Sequence, residues 1–299
     1  MTFDKLVIVP SRRRAFAIVA PHMFASHALA TRIDRAEMRL SLSIARTVAE
    51  RTPAARALVS PIAGGQAVFA GCGSPANKAI GIGFGEAIDE SQLAAIEQEW
   101  TERGEPVRFE LSILADPSLA PTLTSRGYRV TGFENVLGRV LSADDGMPDL
   151  SGMSIKSLPQ EEWRTWLQVA LDGFGTPDGT APGEESYPRE LLEALFVDFA
   201  ATPGFQRYLL LVDDAPAGAA SLRIDDGLAQ LCGAATLPQF RRRGIQAALL
   251  RSRLAEARHA GCDLAVVTTQ PGSKSQANAM RQGFSLLYTR LVLVKPVAT

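Results

Sequence analysis

The sequence predicts an α/β protein built as two tandem halves, on three observations. The chain has 299 residues, beyond the usual size of a single hydrophobic core. SADDGMPDLSG at 142–152 is short, acidic and rich in Gly, Pro and Ser, the composition of a linker. On both sides of it the same order recurs: helix, strand, short helix, glycine plus aromatic, long strand. It runs from Ser91 to Leu141 and again from Arg241 to Val294, with Gly127-Tyr128 matching Gly283-Phe284, and reads as an internal duplication.

The elements follow in order. Residues 1–30 are expected to be an extension without fixed structure. Its stretch SRRRAFAIVAPHMFASHALA loosely matches an export signal, but Pro21, His22 and His27 interrupt the apolar part. In the first half, 31–141, Ile33, Ala36, Leu40, Ile44 and Val48 recur at helical spacing until Pro53 stops them. Apolar stretches near 57–60, 66–70 and 79–84 read as strands, the last with close backbone approach at Gly81, Gly83 and Gly85. Leu93, Ile96 and Trp100 stripe a helix that Gly104 ends. VRFELSIL is a strand, DPSLAPTLTSRGY a short helix, and YRVTGFENVLGRVL a returning strand.

The second half, 153–299, opens with MSIKSLP as a strand. Trp163, Trp166, Leu167 and Ala170 mark a helix whose first turn accepts Pro159, and Pro188 opens another. Strands follow at 208–214, 218–224 and 228–237, then a helix to about Ala260 capped by Gly261, a buried strand CDLAVVTT, a short helix ending at Gly283, and a final strand FSLLYTRLVLV.

Composition limits the function. With 31 basic and 32 acidic residues, the whole chain is no polyanion binder, so an attraction for phosphate has to be local and nucleic acid is excluded as a general partner. Cys72, Cys232 and Cys262 are odd in number and scattered, which fits neither a disulfide framework nor a zinc site and suits a reducing cytoplasm. No apolar run approaches the roughly 18 residues of a membrane span. The three histidines show no metal or catalytic spacing, and G-x-S-x-G is absent.

Against that neutral background, TLPQFRRRGIQAALLRSRL at 236–254 sets three arginines against a glycine where strand gives way to helix. First-turn amides have no partners inside their helix, and a glycine there lets a ligand reach them. With the positive end of the helix dipole they make an anion site suited to pyrophosphate.

Here the sequence resembles the GNAT superfamily of acetyl-CoA-dependent N-acetyltransferases. Arg241-Arg242-Arg243-Gly244-Ile245-Gln246 is similar to that family's R/Q-x-x-G-x-G/A signature, with Gln246 where Gly or Ala usually stands. Thr236 to Phe240 resembles the usual approach to it, and AMRQGF at 279–284 the later helix-to-strand corner. The resemblance implies an α/β (α+β) fold of two tandem GNAT-like domains, each a mixed, mainly antiparallel sheet flanked by helices, the first domain a degenerate copy. At its equivalent junction, GFGEAIDESQL carries Glu86, Asp89 and Glu90 where phosphate needs positive charge.

The resemblance further implies that strands 228–237 and 262–270 splay apart around an acetyl-pantetheine arm, and that an amine attacks the thioester directly. Acetyl-CoA would be held by Thr236, Leu237, Arg241, Arg242, Arg243, Gly244, Ile245, Gln246, Ala247 and Asn278, with backbone amides near Thr236 and Leu237 polarising the thioester carbonyl. No metal is implied. The acid and base are less marked: the fourth strand offers Gln230 and Cys232 and no carboxylate, and Ala279 stands where the family often has tyrosine. Candidates are Tyr288 as acid, and Glu184, Glu185 or Asp172 as base through water. The loop at 171–188 carries Asp172, Asp178, Glu184 and Glu185 beside the expected acceptor site, which favours a cationic amine. The predicted function is an N-acetyltransferase with a small-molecule or peptide amine acceptor, acting as monomer or homodimer. The alternative is a non-catalytic acyl-CoA-binding or sensing module, suggested by the missing strand carboxylate and tyrosine.

Overall fold

The computed structural model describes residues 23–159, 162–176 and 188–297. In chain order the elements are α1 (His27–Arg51), β1 (Leu58–Ile62), β2 (Gly65–Phe69), β3 (Lys78–Ile80), α2 (Glu90–Glu102), β4 (Val107–Ser112), α3 (Leu119–Ser125) and β5 (Arg129–Val140). Then come β6 (Met153–Leu158), α4 (Trp163–Phe174), α5 (Arg189–Ala201), β7 (Phe205–Val212), β8 (Ala215–Asp225), β9 (Leu228–Gln230), β10 (Ala234–Thr236), α6 (Ile245–His259), β11 (Leu264–Thr269), α7 (Lys274–Arg281) and β12 (Ser285–Lys295).

Helix α1 forms because its apolar positions fall on one face: Ile33, Ala36, Leu40, Ile44 and Val48 are all buried. It begins earlier than the sequence predicts. The Ser26 hydroxyl accepts from the Leu29 amide at 3.2 Å, an N-cap that satisfies one first-turn donor, so 27–30 is helix and not loose extension. Helix α4 starts at Trp163, so Pro159 precedes it and does not lie in its first turn.

The strands form one 12-stranded sheet in the order β1-β2-β3-β4-β12-β5-β11-β9-β8-β7-β6, with β10 paired to β8. Two pairs are parallel, β3 with β4 and β9 with β11, and they occupy corresponding places in the two halves. All other pairs are antiparallel. The matched corners are real: Gly127 and Gly283 have φ of +92° and +84°, a backbone region that favours glycine, and each places a buried aromatic next, Tyr128 and Phe284.

The halves interlock. Strand β12, last in sequence, lies between β4 and β5, with Leu291 facing Leu111 on one side and Phe133 on the other. Strand β5, last of the first half, lies between β12 and β11 and pairs with β11 from Leu264↔Val140 to Thr269↔Asn135. Each half donates its closing strand to the other, so the linker separates the halves in sequence and not in the sheet. A buried ion pair locks the exchange: Asp34 Oδ1 on α1 accepts from Arg290 Nη2 at 2.5 Å and from Tyr288 Oη at 2.7 Å, both on β12, with the Asp34 and Arg290 side chains each 1% exposed.

Candidate active site at the strand splay

The strand expected at 228–237 is broken in two, and the break makes the site. Up to Leu231 the chain runs beside β11, the last rung being the Leu231 amide on the Val266 carbonyl at 2.9 Å. Gly233 then turns with φ +54°, and β10 continues on β8 alone. From Cys232 onward β10 and β11 diverge, leaving a gap open on the side of β11's C-terminal end.

Arg253 holds the break. It is buried on α6 and donates through Nη1 to the Ser221 carbonyl at 2.8 Å and toward the Gly233 carbonyl at 3.5 Å, with Nε on Leu249 O at 3.1 Å. Sequence reasoning missed it, although a signal was present: Leu249, Arg253 and Ala257 fall on one helical stripe, and a charge on an apolar stripe calls for a partner.

Backbone polarity along β10 follows from its pairing. The Leu237 amide donates to Ala217 O at 3.0 Å, and Gly233 O accepts from the Ser221 amide at 3.2 Å. The odd positions therefore face β8, and the Thr236 amide points away from it into the gap. Of the two amides expected to polarise a thioester, Leu237's is spent within the sheet and Thr236's points away from β8.

Beyond β10 a short turn at 238–240 leads into the arginines. Arg242 and Gly244 both have positive φ, +63° and +80°, and Gly244 is the N-cap of α6 without a side-chain cap bond. The first bond into the helix is the Ala248 amide on Gly244 O, so the preceding first-turn amides have no helical acceptor. A Cβ added at Gly244 would meet nothing within 4 Å; the need for glycine lies in its φ and in open approach to these amides.

The predicted residues gather here unevenly. Arg241 turns inward, with Nε on Thr236 O at 3.4 Å and Nη2 on Thr176 O, tying the junction to the end of α4. Arg242 and Arg243 are exposed, the latter 5.7 Å over the Phe240 ring. Gln246 Nε2 gives one of its two hydrogens to Thr236 Oγ1 at 3.0 Å, bracing the strand end against the helix. Ile245 is buried and anchors the helix start, and Ala247 follows half-buried in the first turn. Asn278 lies on α7 and accepts from Arg281.

Tyr288 is not brought to this site. It sits three strands away along the order β12-β5-β11-β9, 2% exposed, with its hydroxyl on Asp34. Burial drives its acidity far down, so the expectation of an acid there is corrected to a packing and ion-pair role. Asp172 accepts from Gln168 at 2.9 Å and from Arg189 at 2.8 Å, which keeps its carboxyl below the usual range. Asp178, Glu184 and Glu185 lie outside the described residues.

The face of the sheet opposite α6 is built from both halves. Gln230 Nε2 on β9 donates to Glu37 Oε2 of α1 at 3.3 Å, and Glu37 Oε1 accepts from Lys78 at 3.1 Å. Although burial opposes it, the surrounding cations Lys78, Arg290 and Arg223 hold Glu37 below the usual carboxylate range. An ionised carboxylate from the first half thus stands beside the strand position that lacks one. Cys232, two residues on, is pushed up to about 12 by burial and then by Glu37, so its thiol is neutral and no nucleophile at pH 7. All three cysteines are free. Among the described residues no group of three or more His, Cys, Asp or Glu side chains could hold a metal ion, and no helix is long and apolar enough to cross a membrane.

Residues 160–284 match the acetyltransferase (GNAT) family. That stretch is similar to GNAT acetyltransferase domains, and that family transfers acyl groups from acetyl-CoA. The whole chain is similar in fold to a GCN5-related N-acetyltransferase from Kribbella flavida, with TM-score 0.62, 19% identity, and coverage of 90% of this chain and 96% of that one. It is also similar to a tandem GNAT protein from the clavulanic acid biosynthesis pathway, with TM-score 0.54, 14% identity and 70% of each chain covered. A GCN5-related N-acetyltransferase from Sphaerobacter thermophilus gives 0.52 at 15% identity over 70% of this chain and 68% of that one. No curated protein matches in sequence.

Proposed function

We propose that this chain is an N-acetyltransferase that moves an acetyl group from acetyl-CoA to an amine by direct attack in a ternary complex. The observation that carries the reading is the uncapped, glycine-entered start of α6 beside the only break in pairing between β9–β10 and β11 among the described residues.

The first-turn amides of Ile245, Gln246 and Ala247, with Arg242 and Arg243 around them, would hold the diphosphate. Arg241 shapes the turn from Thr236 and Leu237. The pantetheine arm would follow the gap toward Asn278, and the Thr236 amide would bond the thioester oxygen as it gains charge. The amine nitrogen bonds to the acetyl carbon as the C–S bond breaks; nitrogen loses a proton to water, and the departing sulfur takes one from water. Glu184 or Glu185 would relay the first of these. The neutral Cys232 supports direct attack over a thiol-bound intermediate. The enzyme would work in the cytoplasm without a metal, as monomer or homodimer.

Calorimetric titration with CoA and thiol release from acetyl-CoA against an amine panel test this reading. Micromolar binding with amine-dependent thiol release supports it. Binding without release from any amine would leave the acyl-CoA-sensing module, which the absence of a carboxylate on β9 and β10 favours.

A further inference from the structure

The sheet face that carries Gln230 and Cys232 also carries a pocket opening at the break itself. Trp166 and Phe174 of α4, Phe196 of α5, Phe205 of β7, and Cys232 and Gly233 at the break line it, bounding about 270 Å³ of empty space, much of it open solvent at the mouth. Gly233 is exposed, and a Cβ there would come 3.7 Å from the Phe174 ring, so the mouth lies between the break and Phe174, which is 43% exposed. Inside, Phe174 and Trp166 flank Phe196 with ring centroids 5.4 and 6.0 Å away.

Most polar groups around the pocket are already engaged within the protein. Trp166 Nε1 is spent on Ala220 O at 3.0 Å, the Ser221 carbonyl on Arg253, the Ser221 amide on Gly233 O, and the Cys232 thiol on Gln230 O at 3.6 Å. No charged side chain lines it. A second ammonium entering there would lose its water without meeting a carboxylate, whereas an apolar group would be favoured.

Cys232 joins this pocket to the Glu37 carboxylate. It lines the pocket, and its thiol donates to the carbonyl of Gln230, whose side-chain amide donates to Glu37 Oε2 at 3.3 Å. An apolar recess and an anionic group therefore flank one residue at the point where the strands part.

Resting on the acetyltransferase reading above, we propose that the acceptor is a primary amine bearing one apolar group, alkyl or aryl, whose tail enters the Trp166–Phe174–Phe196 pocket while Glu37 of the first half draws its ammonium to the splay. The amphiphilic shape of the site selects monoamines against diamines, and the first half takes part in acceptor binding.

The test is thiol release from acetyl-CoA with methylamine, propylamine, pentylamine, phenethylamine and 1,4-diaminobutane. Each added methylene should raise kcat/KM about fourfold until the pocket is filled, and phenethylamine should exceed 1,4-diaminobutane at least tenfold. Ala170→Leu, which fills the pocket from α4, should cost phenethylamine tenfold or more while changing methylamine less than twofold and leaving CoA affinity unchanged. Since Ala170 is buried, Phe174→Ala serves as the variant safe for folding, with a loss of about fivefold for phenethylamine alone. Glu37→Gln should raise KM for every amine by about tenfold and preserve the dependence on chain length. A flat series, a preference for 1,4-diaminobutane, or tail selectivity untouched in folded Ala170→Leu and Phe174→Ala would overturn the proposal while CoA binding and turnover persist. Failure of the wild-type chain to bind CoA would instead remove the acetyltransferase reading, and this proposal with it.

Discussion

The two halves reach the same junction by the same order of elements and end with opposite surfaces. In the first half the chain after β3 is bonded to the loop before α3, the Asp116 amide donating to Gly83 O at 3.0 Å, and Leu119 packs so closely that a Cβ on Gly83 would stand 2.3 Å from its Cδ1. Helix α2 then caps itself: Asp89 accepts from the Ser91 and Gln92 amides at 2.8 and 3.4 Å. In the second half the chain leaves β11 after Leu231, and α6 starts at Gly244 without a side-chain cap. One copy fills its gap and satisfies its helix end internally; the other leaves both available. The difference is a matter of a few residues. A carboxylate in the cap position supplies for itself the anion that the other copy is proposed to take from a cofactor.

The largest expected effect breaks the framework that both copies share. Asp34→Ala strands Arg290 without its partner in the interior, and loss of one member of a buried pair costs about 3–5 kcal/mol; chemical denaturation should show it, with both halves lost in one transition. Next, Gly244→Val should forbid the positive φ and crowd the amides. CoA affinity should fall a hundredfold or more by calorimetry, and wild-type affinity would place the cofactor elsewhere. Arg243→Ala should weaken CoA by about 1.5–3 kcal/mol, as for a hydrogen bond to a charged group, and should flatten the salt dependence of binding.

A smaller effect is expected in the closed copy. Asp89→Ala removes a helix cap, at about 1 kcal/mol of stability, and should leave CoA affinity unchanged; a change in CoA affinity would mean that the two junctions are not independent. The last effect is confined to one side of neutrality. Burial, followed by the neighbouring Glu110 carboxylate, pushes Glu134 up to about 7. Its folded-state value lies above the unfolded one, so the folded chain favours the proton and stability falls as pH rises from the ordinary carboxylate range through 7. Glu134→Gln should match wild type at pH 4 and be the more stable of the two at pH 8 in denaturant melts.

What the sequence revealed and what it hid divide along the same line. Gly244, Gly127 and Gly283 were legible because a positive φ is a local demand, and the α1 stripe because burial of one helix face repeats along the chain. The exchange of β5 and β12 was hidden, since both are alternating strands and nothing local says which neighbour each will pair with. Tyr288 was read as a candidate acid for that reason: without its neighbours, a strand tyrosine gives no sign that Asp34 lies 254 positions away in sequence. Arg290, on the same strand face as Tyr288 and Val292, was the available hint that a buried counter-charge was needed. The break at Cys232-Gly233 went unseen because its cause, the Arg253 bonds, comes from another element. Glu37 was invisible as part of the site because it belongs to the half that carries no phosphate junction.

The exchanged strands also set a schedule for synthesis. A ribosome delivers β4 and β5 early, yet the place between them belongs to β12, whose residues are among the last to be made. Until then the first half holds two unpaired strand edges in an unfinished sheet, a condition that invites aggregation. Pairing across so many intervening residues is also slow. A gene fragment encoding residues 1–150 alone would therefore yield an insoluble product, and a premature stop before residue 285 would disable the first half as surely as the second.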